Sequence, residues 1–416
     1  MRPLLKVKLL ICLIGYCQLM TAQNMYPGAE GFGSQSRGAY AGEQLPQVIK
    51  VTNLNDAGPG SLRAAVNRQY PRIIVFEISG VIELERDLRL YSPYIHIAGQ
   101  TAPYPGITLK NFSLGVSTHD VLVQGMKIRP GTSSEEQIDG INIADDPKKL
   151  YNIVIDHCSI SWALDENIGI LNGGDGITVS NCIISEGLSY MNHSMGLLAM
   201  DTKRVSVFKN LFIHNADRNP LVIGDCEEAL IANNLIYNCD THALYLGFRG
   251  EKGIAVNVAF MGNLYFPGQH NRNEYILSIN KDFHKDGRVF LADNKTSGFE
   301  MSNQWGNKMI FNPGNKNVKV DSNLVSMPSF SLIPVNKLKA YIIINCGAQA
   351  DHRDSVDLRL IQELKKQTGK RIRVPKEVGG WPKISNYRVL ELPENIHVDA
   401  DADGFTNIQE WLHTFI

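Results

Sequence analysis

Short segments of alternating apolar residues recur through the middle of the chain at nearly constant spacing. Five segments share one pattern: alternating apolar or β-branched residues, then Cys or Asn, then further apolar residues. They begin at Ile153, Ile177, Val205, Ala229 and Val258, with successive spacings of 24, 28, 24 and 29 residues. The alternation predicts β-strands that bury one face. The regular spacing predicts repeated coils that stack on one another.

One position of this repeat is always Cys or Asn. The five residues are Cys158, Cys182, Asn210, Asn234 and Asn263. In stacked coils, equivalent positions lie one strand spacing apart, about 5 Å, where amide side chains can hydrogen-bond along the stack. The pattern therefore predicts a single internal column of these side chains.

The fold class that the repeat predicts is all-β, a right-handed parallel β-helix. A leucine-rich repeat has a similar period, but the Leu-x-x-Leu-x-Leu frame is absent from these segments. Blades of a β-propeller need about 40 residues each, which is longer than the observed spacing. A solenoid also allows a chain of this length to bury its apolar residues without a single compact core.

Both ends of the predicted solenoid have elements of another kind. Ser61 precedes the segment LRAAV, which predicts a short serine-capped helix that closes the N-terminal end. Residues 354–367 have a helical pattern and lie in a C-terminal extension. We therefore divide the chain into an export signal (1–22), a β-helix domain (23–350) and an extension (351–416).

The first residues have the pattern of an export signal. Arg2, Lys6 and Lys8 precede the apolar residues 9–20, and Ala22 offers a small residue for cleavage. The apolar run is shorter than the roughly 20 residues that a membrane span requires. We expect a secreted, periplasmic or cell-surface protein without a membrane span.

Cysteine usage and charge exclude several classes of protein. Two of the seven cysteines lie in the predicted signal, which leaves an odd number and no Cys-x-x-Cys pair. This pattern argues against a zinc site and a disulfide framework, and favours buried free thiols. The formal net charge is −1, so the chain lacks the basic surface that nucleic acids or anionic membranes would attract.

Four sequence segments together resemble a known enzyme family. VTNLNDAGPGSLRAAV, IAGQTAP, IDHCSISWALDE and ADRNP, in this order, are similar to segments of family 1 polysaccharide lyases. The bacterial pectate lyases, including pectate trisaccharide-lyases, are the most similar branch, and the resemblance covers roughly residues 26–270. It implies a β-helix that cleaves polygalacturonate, an acidic polysaccharide, by calcium-assisted β-elimination.

The resemblance also assigns candidate catalytic and metal-binding residues. Asp139 and Asp165 fall on calcium-ligating positions of the family, and Glu166 is a neighbouring candidate ligand. Carboxylate oxygens are the ligands that Ca²⁺ prefers. Arg218, in Arg-Asn-Pro, matches the arginine that acts as the base. The alternatives are a turn-capping role for Asp139 and an ordinary ion pair for Arg218.

Three positions depart from the family pattern. Met195 replaces the lysine that binds the uronate carboxylate, Ile223 replaces a frequent arginine, and Gly169 replaces a further calcium-ligating aspartate. Fewer cations and ligands suggest weak calcium affinity, a different substrate or lost catalysis.

Further residues are assigned to substrate binding or to structure. His193 precedes the altered lysine position and is a candidate substrate-binding residue. Lys203 and Arg204 lie one coil away and are candidates to compensate for the missing lysine. For Asp156 and His157, which follow a buried strand, we expect a structural role.

A second calcium signal lies near the C-terminus. Residues 399–410 match the twelve-residue loop in which carboxylates, a carbonyl and a turn glycine, here Gly404, surround Ca²⁺. The ligands are predicted to be Asp399, Asp401, Asp403, Phe405 through its carbonyl, and Glu410. A helix follows the loop, but Pro393 argues against one before it. This indicates half of an EF-hand with a structural role.

The sequence therefore favours a monomeric, exported, calcium-dependent lyase of pectate or a related acidic polysaccharide. Two other functions remain open. One is a catalytically silent β-helix that only binds pectic chains, suggested by Met195, Ile223 and Gly169. The other is a β-helical glycosidase, for which Asp145 and Asp146 would have to supply the acid and the base.

Overall fold

The computed structural model confirms the parallel β-helix. It describes residues 24–134, 136–247, 250, 253–268, 275–296, 304–305, 310–312, 317–326 and 330–416. The predicted export signal lies outside the described residues. In the described part of the chain, no helix has the length and apolar character needed to cross a membrane.

Each coil contributes strands to three parallel sheets in turn. Sheet 1 contains Gln47–Val51, Arg72–Phe76, Ile95–Ala98, Val121–Gln124, Tyr151–Asp156, Asp175–Ser180, Arg204–Phe208, Glu228–Ala232, Asn257–Met261, Arg288–Ala292 and Lys319–Val320. Sheet 2 contains Gly80–Glu83, Ile107–Lys110, Lys127–Ile128, Ser159–Ser161, Ile183–Ser185, Leu211–Ile213, Leu235–Tyr237, Leu264–Phe266 and Lys295–Thr296. Sheet 3 contains Leu88–Leu90, Leu114–Val116, Ile141–Ile143, Glu166–Ile170, Met195–Met200, Leu221–Ile223, Leu244–Leu246, Leu277–Ile279 and Ile310–Phe311.

The predicted internal column is present and buried. The backbone N–H of Cys182 donates to Asn210 Oδ1 at 2.8 Å, and the amide nitrogens of Asn210 and Asn234 donate to the next asparagine at 3.0 and 3.1 Å. Asn263 continues the column by donating to Asn294 Oδ1 at 3.0 Å, one coil beyond the predicted members. Each amide therefore satisfies a buried polar group of the neighbouring coil.

The cysteines behave as the sequence predicts. All five cysteines in the described part of the chain are buried free thiols: Cys158, Cys182, Cys226, Cys239 and Cys346. Four of them fill apolar positions inside the coils, as small hydrophobic residues do, and Cys346 packs at the end of α2 against the outside of sheet 2.

In the described ranges, four α-helices lie at the ends and on the outside of the solenoid. They are α1 (Leu62–Val66), α2 (Val335–Asn345), α3 (Ser355–Lys366) and α4 (Asn407–His413). The Ser61 hydroxyl accepts a hydrogen bond from Ala64 N at 3.2 Å, and α1 joins the apolar core at the N-terminal end, as predicted. The helix predicted for residues 354–367 is α3, and its N-cap is Asp354.

The C-terminal helices cover the outer faces of sheets 1 and 2. Leu338 of α2 and Leu360 of α3 pack with Leu211 and Leu235 of sheet 2. On sheet 1, α4 packs through Ile408 in a separate cluster. Because α2 lies before residue 350 but packs with α3, the division of the chain at residue 350 stays a prediction.

A buried charged cluster joins α3 to the β-helix. Arg129 Nη1 lies 2.6 Å from Asp354 Oδ2, and its Nη2 lies 2.7 Å from Asp357 Oδ1. The Ser159 hydroxyl donates to the other oxygen of Asp357 at 2.6 Å. These contacts neutralise charges that would otherwise be very unfavourable in the interior.

Candidate active site

The candidate catalytic residues meet where sheet 2 turns into sheet 3. Asp139 precedes Ile141–Ile143, Glu166 opens Glu166–Ile170, and Arg218 precedes Leu221–Ile223. These sheet 3 strands pair in parallel register through the intervening strand Met195–Met200. Residues far apart in the sequence are thereby brought onto one corner of the solenoid.

Asp139 lies buried at this corner. Its Oδ1 accepts a hydrogen bond from Glu166 N at 3.1 Å, and its Oδ2 accepts one from Asn142 Nδ2 at 2.7 Å. Burial, with a contribution from the charge of Asp165, raises the pKa of Asp139 to about 7. The Asp139 carboxyl group therefore titrates near neutral pH, and a cation that binds to it below that pH would displace its proton.

The carboxylate of Asp139 also explains why residue 169 is glycine. A Cβ atom at Gly169 would lie 2.3 Å from Asp139 Oδ2. The space that an aspartate at position 169 would need is therefore filled by the side chain of Asp139. This departure from the family pattern is coupled to the position of the Asp139 carboxylate.

Arg218 and Glu166 form an ion pair. The contact joins Arg218 Nη1 and Glu166 Oε1, and the Glu166 side chain is almost completely buried. Arg218 itself has a positive φ of 59° and is partly exposed, and its backbone turns at the corner. The alternative interpretation of Arg218, an ordinary ion pair, thus describes its contact in this structure.

Asp165, Glu166 and His193 form a cluster with metal-binding geometry. One ligand atom from each side chain lies within 4.8 Å of those of the other two. His193 Nε2 lies 3.0 Å from Asp165 Oδ1. Two carboxylates with a nearby third, Asp139, supply the oxygen-rich environment that Ca²⁺ prefers. The donor set therefore fits a hard divalent cation, with His193 beside it.

Arg89, which the sequence does not single out, supports Asp139 indirectly through Asn142. Arg89 lies on the outer face of sheet 3, and its Nη2 donates to Asn142 Oδ1 at 3.2 Å. Asn142 in turn donates to Asp139. Arg89, Gly115, Asn142 and Gly169 occupy equivalent positions of neighbouring strands. Only the strand register reveals this row, which lies on the outer face of sheet 3 beside the site.

A second unpredicted group lies one coil beyond Arg218. His242 Nδ1 lies 3.0 and 3.1 Å from the two carboxylate oxygens of Asp217. The His242 and Tyr245 rings stack with centroids 4.4 Å apart and planes 10° from parallel. The sequence offered no motif for this group, although Asp217 directly precedes the arginine of Arg-Asn-Pro.

Lys203 and Arg204 do not reach this corner. They follow Met200, the last residue of the strand Met195–Met200. Met195, at the catalytic corner, is roughly 16 Å from Met200 along this strand. Arg204 pairs with Asp175 at 2.6 Å, and Lys203 lies 4.0 Å from Glu227. Lys203 is on the turn from sheet 3 into sheet 1 and Arg204 opens the next sheet 1 strand, so neither lies at the corner where the lysine is missing.

Asp156 and His157 have the structural positions that the sequence predicted. Asp156 is fully buried and accepts hydrogen bonds from Gln124, Ser180 and Asn181. These bonds and the contact with His157 Nδ1, at 2.7 Å, lower the pKa of Asp156 well below its ordinary value, although burial acts in the opposite direction.

The acidic pair needed for a glycosidase has local roles instead. Asp145 Oδ1 lies 3.3 Å from Lys149 Nζ. Asp146 caps a short 3₁₀ helix, Pro147–Lys149, by accepting a hydrogen bond from Lys148 N. Neither arrangement resembles two carboxylates facing one glycosidic bond.

The C-terminal loop has the form of half an EF-hand. Asp399 Oδ2 accepts a hydrogen bond from Gly404 N at 2.9 Å, and Asp403 Oδ1 accepts one from Phe405 N at 2.8 Å. The carboxylates of Asp399, Asp401 and Asp403 converge within 4.8 Å. Desolvation and these three charges raise the pKa of Glu410. A helix, α4, follows the loop, and residues 391–398 before it are not helical.

Comparisons with known proteins agree with this architecture. Residues 106–267 match the family model described as "Right handed beta helix region". The structure is similar to the crystal structure of jun a 1, the major allergen from cedar pollen, with a TM-score of 0.58 and 19% sequence identity. This match covers 77% of the present chain and 92% of the allergen chain. The structure is also similar to a Bacillus subtilis pectate lyase mutant, with a TM-score of 0.53 and 12% identity. This match covers 79% of the present chain and 98% of the pectate lyase chain. At these identities the structural matches show the fold.

Curated relatives show the family. The chain is 34% identical to probable pectate lyase C of Aspergillus flavus, over 98% of the chain and 97% of the relative. It is also 34% identical to probable pectate lyase C of Aspergillus terreus, over 86% and 80%. The fold and these relatives define a polysaccharide lyase built on a β-helix. The protein belongs to the pectate lyase family, polysaccharide lyase family 1.

Proposed function

We propose that the protein cleaves polygalacturonate, or a related acidic pectic polysaccharide, by calcium-dependent β-elimination with Arg218 as the base. The observation that carries the proposal is the convergence of Asp139, Asp165 and Glu166 with Arg218 on one corner of the solenoid. The chain's relatives are named pectate lyases, which supports a galacturonate polymer as the substrate. We further propose that it acts outside the cytoplasm as a monomer.

Each group at the corner has a role in this proposal. Asp139, Asp165 and Glu166 would hold Ca²⁺, which neutralises a uronate carboxylate and stabilises the negative charge that develops when C5 loses its proton. Asn142 and Arg89 hold the Asp139 carboxylate in place. His193 lies beside this cluster, where it can contact the substrate.

Arg218 must lose a proton before it can act as a base. An arginine side chain normally keeps its proton at any physiological pH, and pairing with Glu166 reinforces this state. Arg218 would lose its proton more readily beside a divalent charge than beside the lone carboxylate of Glu166. Calcium dependence of the rate therefore tests the ligand set and the base together, by the ultraviolet absorbance of the unsaturated product with calcium or with a chelator.

A catalytically silent pectin-binding protein is the second candidate, because Met195 stands where the family has a lysine. Met195 pairs with Glu166 in the sheet and forms a bridge to Asp217, so its side chain belongs to the site. We expect Met195→Lys to raise kcat/KM on polygalacturonate, by up to about tenfold for one added ion pair with the uronate carboxylate. Steady-state rates of the parent and the variant test this.

The control for this change is Met200→Lys, which places the same charge at the other end of the same strand. A gain specific to Met195→Lys supports a galacturonate site that lacks its cation. An equal gain in the control would reduce the effect to general attraction of the polyanion. A loss in Met195→Lys alone would indicate a pocket shaped for another acidic polymer.

We also propose that the loop at residues 399–410 binds calcium. Asp399→Ala combined with Asp403→Ala should lower the free energy of unfolding in millimolar calcium by about 1–3 kcal/mol, because a metal bound only by the folded state stabilises it by mass action. In chelator, the parent and the variant should unfold alike. Thermal unfolding in both conditions measures the effect.

The matched control is Asp282→Ala with Asp351→Ala, which removes two exposed aspartates elsewhere. It should respond to calcium as the parent does. Identical unfolding of the parent in calcium and in chelator would exclude a calcium site in the loop, since the folded state would then gain nothing from the metal.

A further inference from the structure

The pair formed by Asp217 and His242 has the geometry of a proton-transfer group. Asp217 engages Nδ1 of the imidazole with both oxygens, at 3.0 and 3.1 Å. A carboxylate at Nδ1 fixes the proton there and leaves Nε2 as the second ring nitrogen. Nε2 has no hydrogen-bond partner among the described residues, and the side chain is 28% exposed. A ligand that binds at this corner of the solenoid could therefore contact Nε2 of His242.

His242 lies on the same corner as Arg218, one coil further along. Asn219, which follows Arg218, donates from its backbone N–H to Ala243 O at 3.1 Å and from Nδ2 to His242 O at 3.0 Å. Neighbouring coils are about 4.8 Å apart. The side chain of Arg218 contacts Glu166, which lies on an earlier coil, whereas His242 lies on the coil that follows Arg218. The two residues therefore lie on neighbouring coils at the same corner of the solenoid.

The imidazole is also held in orientation by its surroundings. Tyr245 stacks on one face of the ring. Tyr245 is opposite Leu221 in the register, so it continues the row of sheet 3 positions that includes Asn142 and Gly169. A side chain fixed by both a carboxylate and a stacked ring has lost its rotational freedom before substrate arrives. Such preorganisation is what a proton-transfer residue requires.

His193, the other histidine at this corner, is in a different position. It pairs with Asp165, which belongs to the carboxylate cluster proposed for the cation. Asp217, by contrast, is outside that cluster. Of these two histidines, His242 is thus the one whose partner is not committed to a metal.

From this geometry we infer that His242, positioned by Asp217, is the general acid that protonates the departing sugar. The inference rests on the proposed β-elimination. In that reaction the base removes the C5 proton, and the C–H electron pair forms the C4–C5 double bond. The C4–O bond breaks with its electron pair on the glycosidic oxygen, which takes the proton from Nε2 of protonated His242. The base then releases the C5 proton to solvent and Nε2 takes up a proton from solvent, so the protons balance and no oxidant or reductant is needed.

The charges around His242 are mixed. Asp217 and Arg218 lie on the preceding coil, and Asp240 lies two residues before the histidine with Arg371 bound to it at 3.1 Å. Tyr245 contributes a phenol at the same edge. Among these charged groups, Asp217 makes the hydrogen-bond contact with the ring, through Nδ1. Asp217 is therefore a positioning residue, and His242 would be the catalytic one.

The test uses two substrates and a variant that keeps the shape of the site. His242→Gln preserves hydrogen bonding to Asp217 but has no proton to transfer. On polygalacturonate, its kcat should fall by about 10²–10⁴-fold with KM within about threefold of the parent. On a uronoside that carries nitrophenolate at C4, a leaving group that needs no proton, the rate should stay near that of the parent. Asp217→Asn should show the same selectivity with a smaller loss.

His352→Gln is the matched control, because His352 is an exposed histidine on a distant 3₁₀ helix and should leave both rates unchanged. Equal losses on both substrates for His242→Gln would show that the residue supports the site without donating the proton. Unchanged rates on the polymer would show that it takes no part, while the lyase function stands. A parent without lyase activity on any uronate polymer would overturn the proposed function, and the inference with it.

Discussion

Arg218→Ala is expected to lower kcat on polygalacturonate by about 10²–10⁴-fold, the usual contribution of a general base. A base acts in the transition state more than in the ground state, so substrate binding should change little. Arg218→Lys should recover only part of the rate, because the lysine ammonium differs from the guanidinium of Arg218 in shape and donor geometry and would meet Glu166 differently. Initial rates and binding of a short oligogalacturonate measure the two effects.

A suitable control is Arg204→Ala, which breaks a comparable arginine–carboxylate pair, with Asp175, at the start of the sheet 1 strands and away from the catalytic corner. It should keep the parent rate. Retention of the full rate by folded Arg218→Ala would end the role of Arg218 as the base. An equal loss in both variants would point to damage of the fold.

The largest expected effect on stability comes from the buried cluster that joins α3 to the β-helix. Arg129→Met should lower the free energy of unfolding by about 3–5 kcal/mol, because two carboxylates would remain buried without their cation. Burial alone would raise the pKa of Asp354, but Arg129 and Lys127 lower it to about 2. Denaturant unfolding of the parent and the variant gives the difference.

A compensated variant separates this charge effect from loss of packing. Arg129→Met combined with Asp354→Asn and Asp357→Asn removes all three charges, and asparagine at position 354 still caps α3. It should be more stable than Arg129→Met alone. Arg68→Met, at an exposed arginine, should be close to the parent. If the single and the triple variants were equally unstable, the loss would arise from packing and not from unpaired carboxylates.

The sequence predicts the β-helix because apolar and polar residues alternate clearly in the sheet 1 strands, and because a Cys or Asn follows several of them at the same position. The sheet 3 strands are often only three residues long, as in Leu221–Ile223, and are too short to show a period. Helix α2 was missed because its apolar residues are not confined to one face of the helix, as with exposed Ile344. Its position depends on packing against α3 and sheet 2.

The candidate site was predicted only where a motif carried it. Asp139, Asp165, Glu166 and Arg218 do meet at one corner, as stacked coils require. Lys203 and Arg204 were chosen because they lie one coil away, but a coil has three corners and these residues occupy another one. The positions of Arg89 and His242 depend on the strand register and turn lengths, which the linear pattern does not contain.

The central claim is that the protein is a calcium-dependent lyase of an acidic pectic polymer. Its most direct test is incubation with polygalacturonate in calcium and in chelator, with the ultraviolet absorbance and the new reducing ends measured on the same samples. β-Elimination predicts that both signals rise together in calcium, since each cleavage makes one unsaturated end and one reducing end, and that both are lost in chelator. Reducing ends without ultraviolet absorbance would indicate hydrolysis, and binding of the polymer with neither signal would indicate a catalytically silent protein; either result would contradict the account.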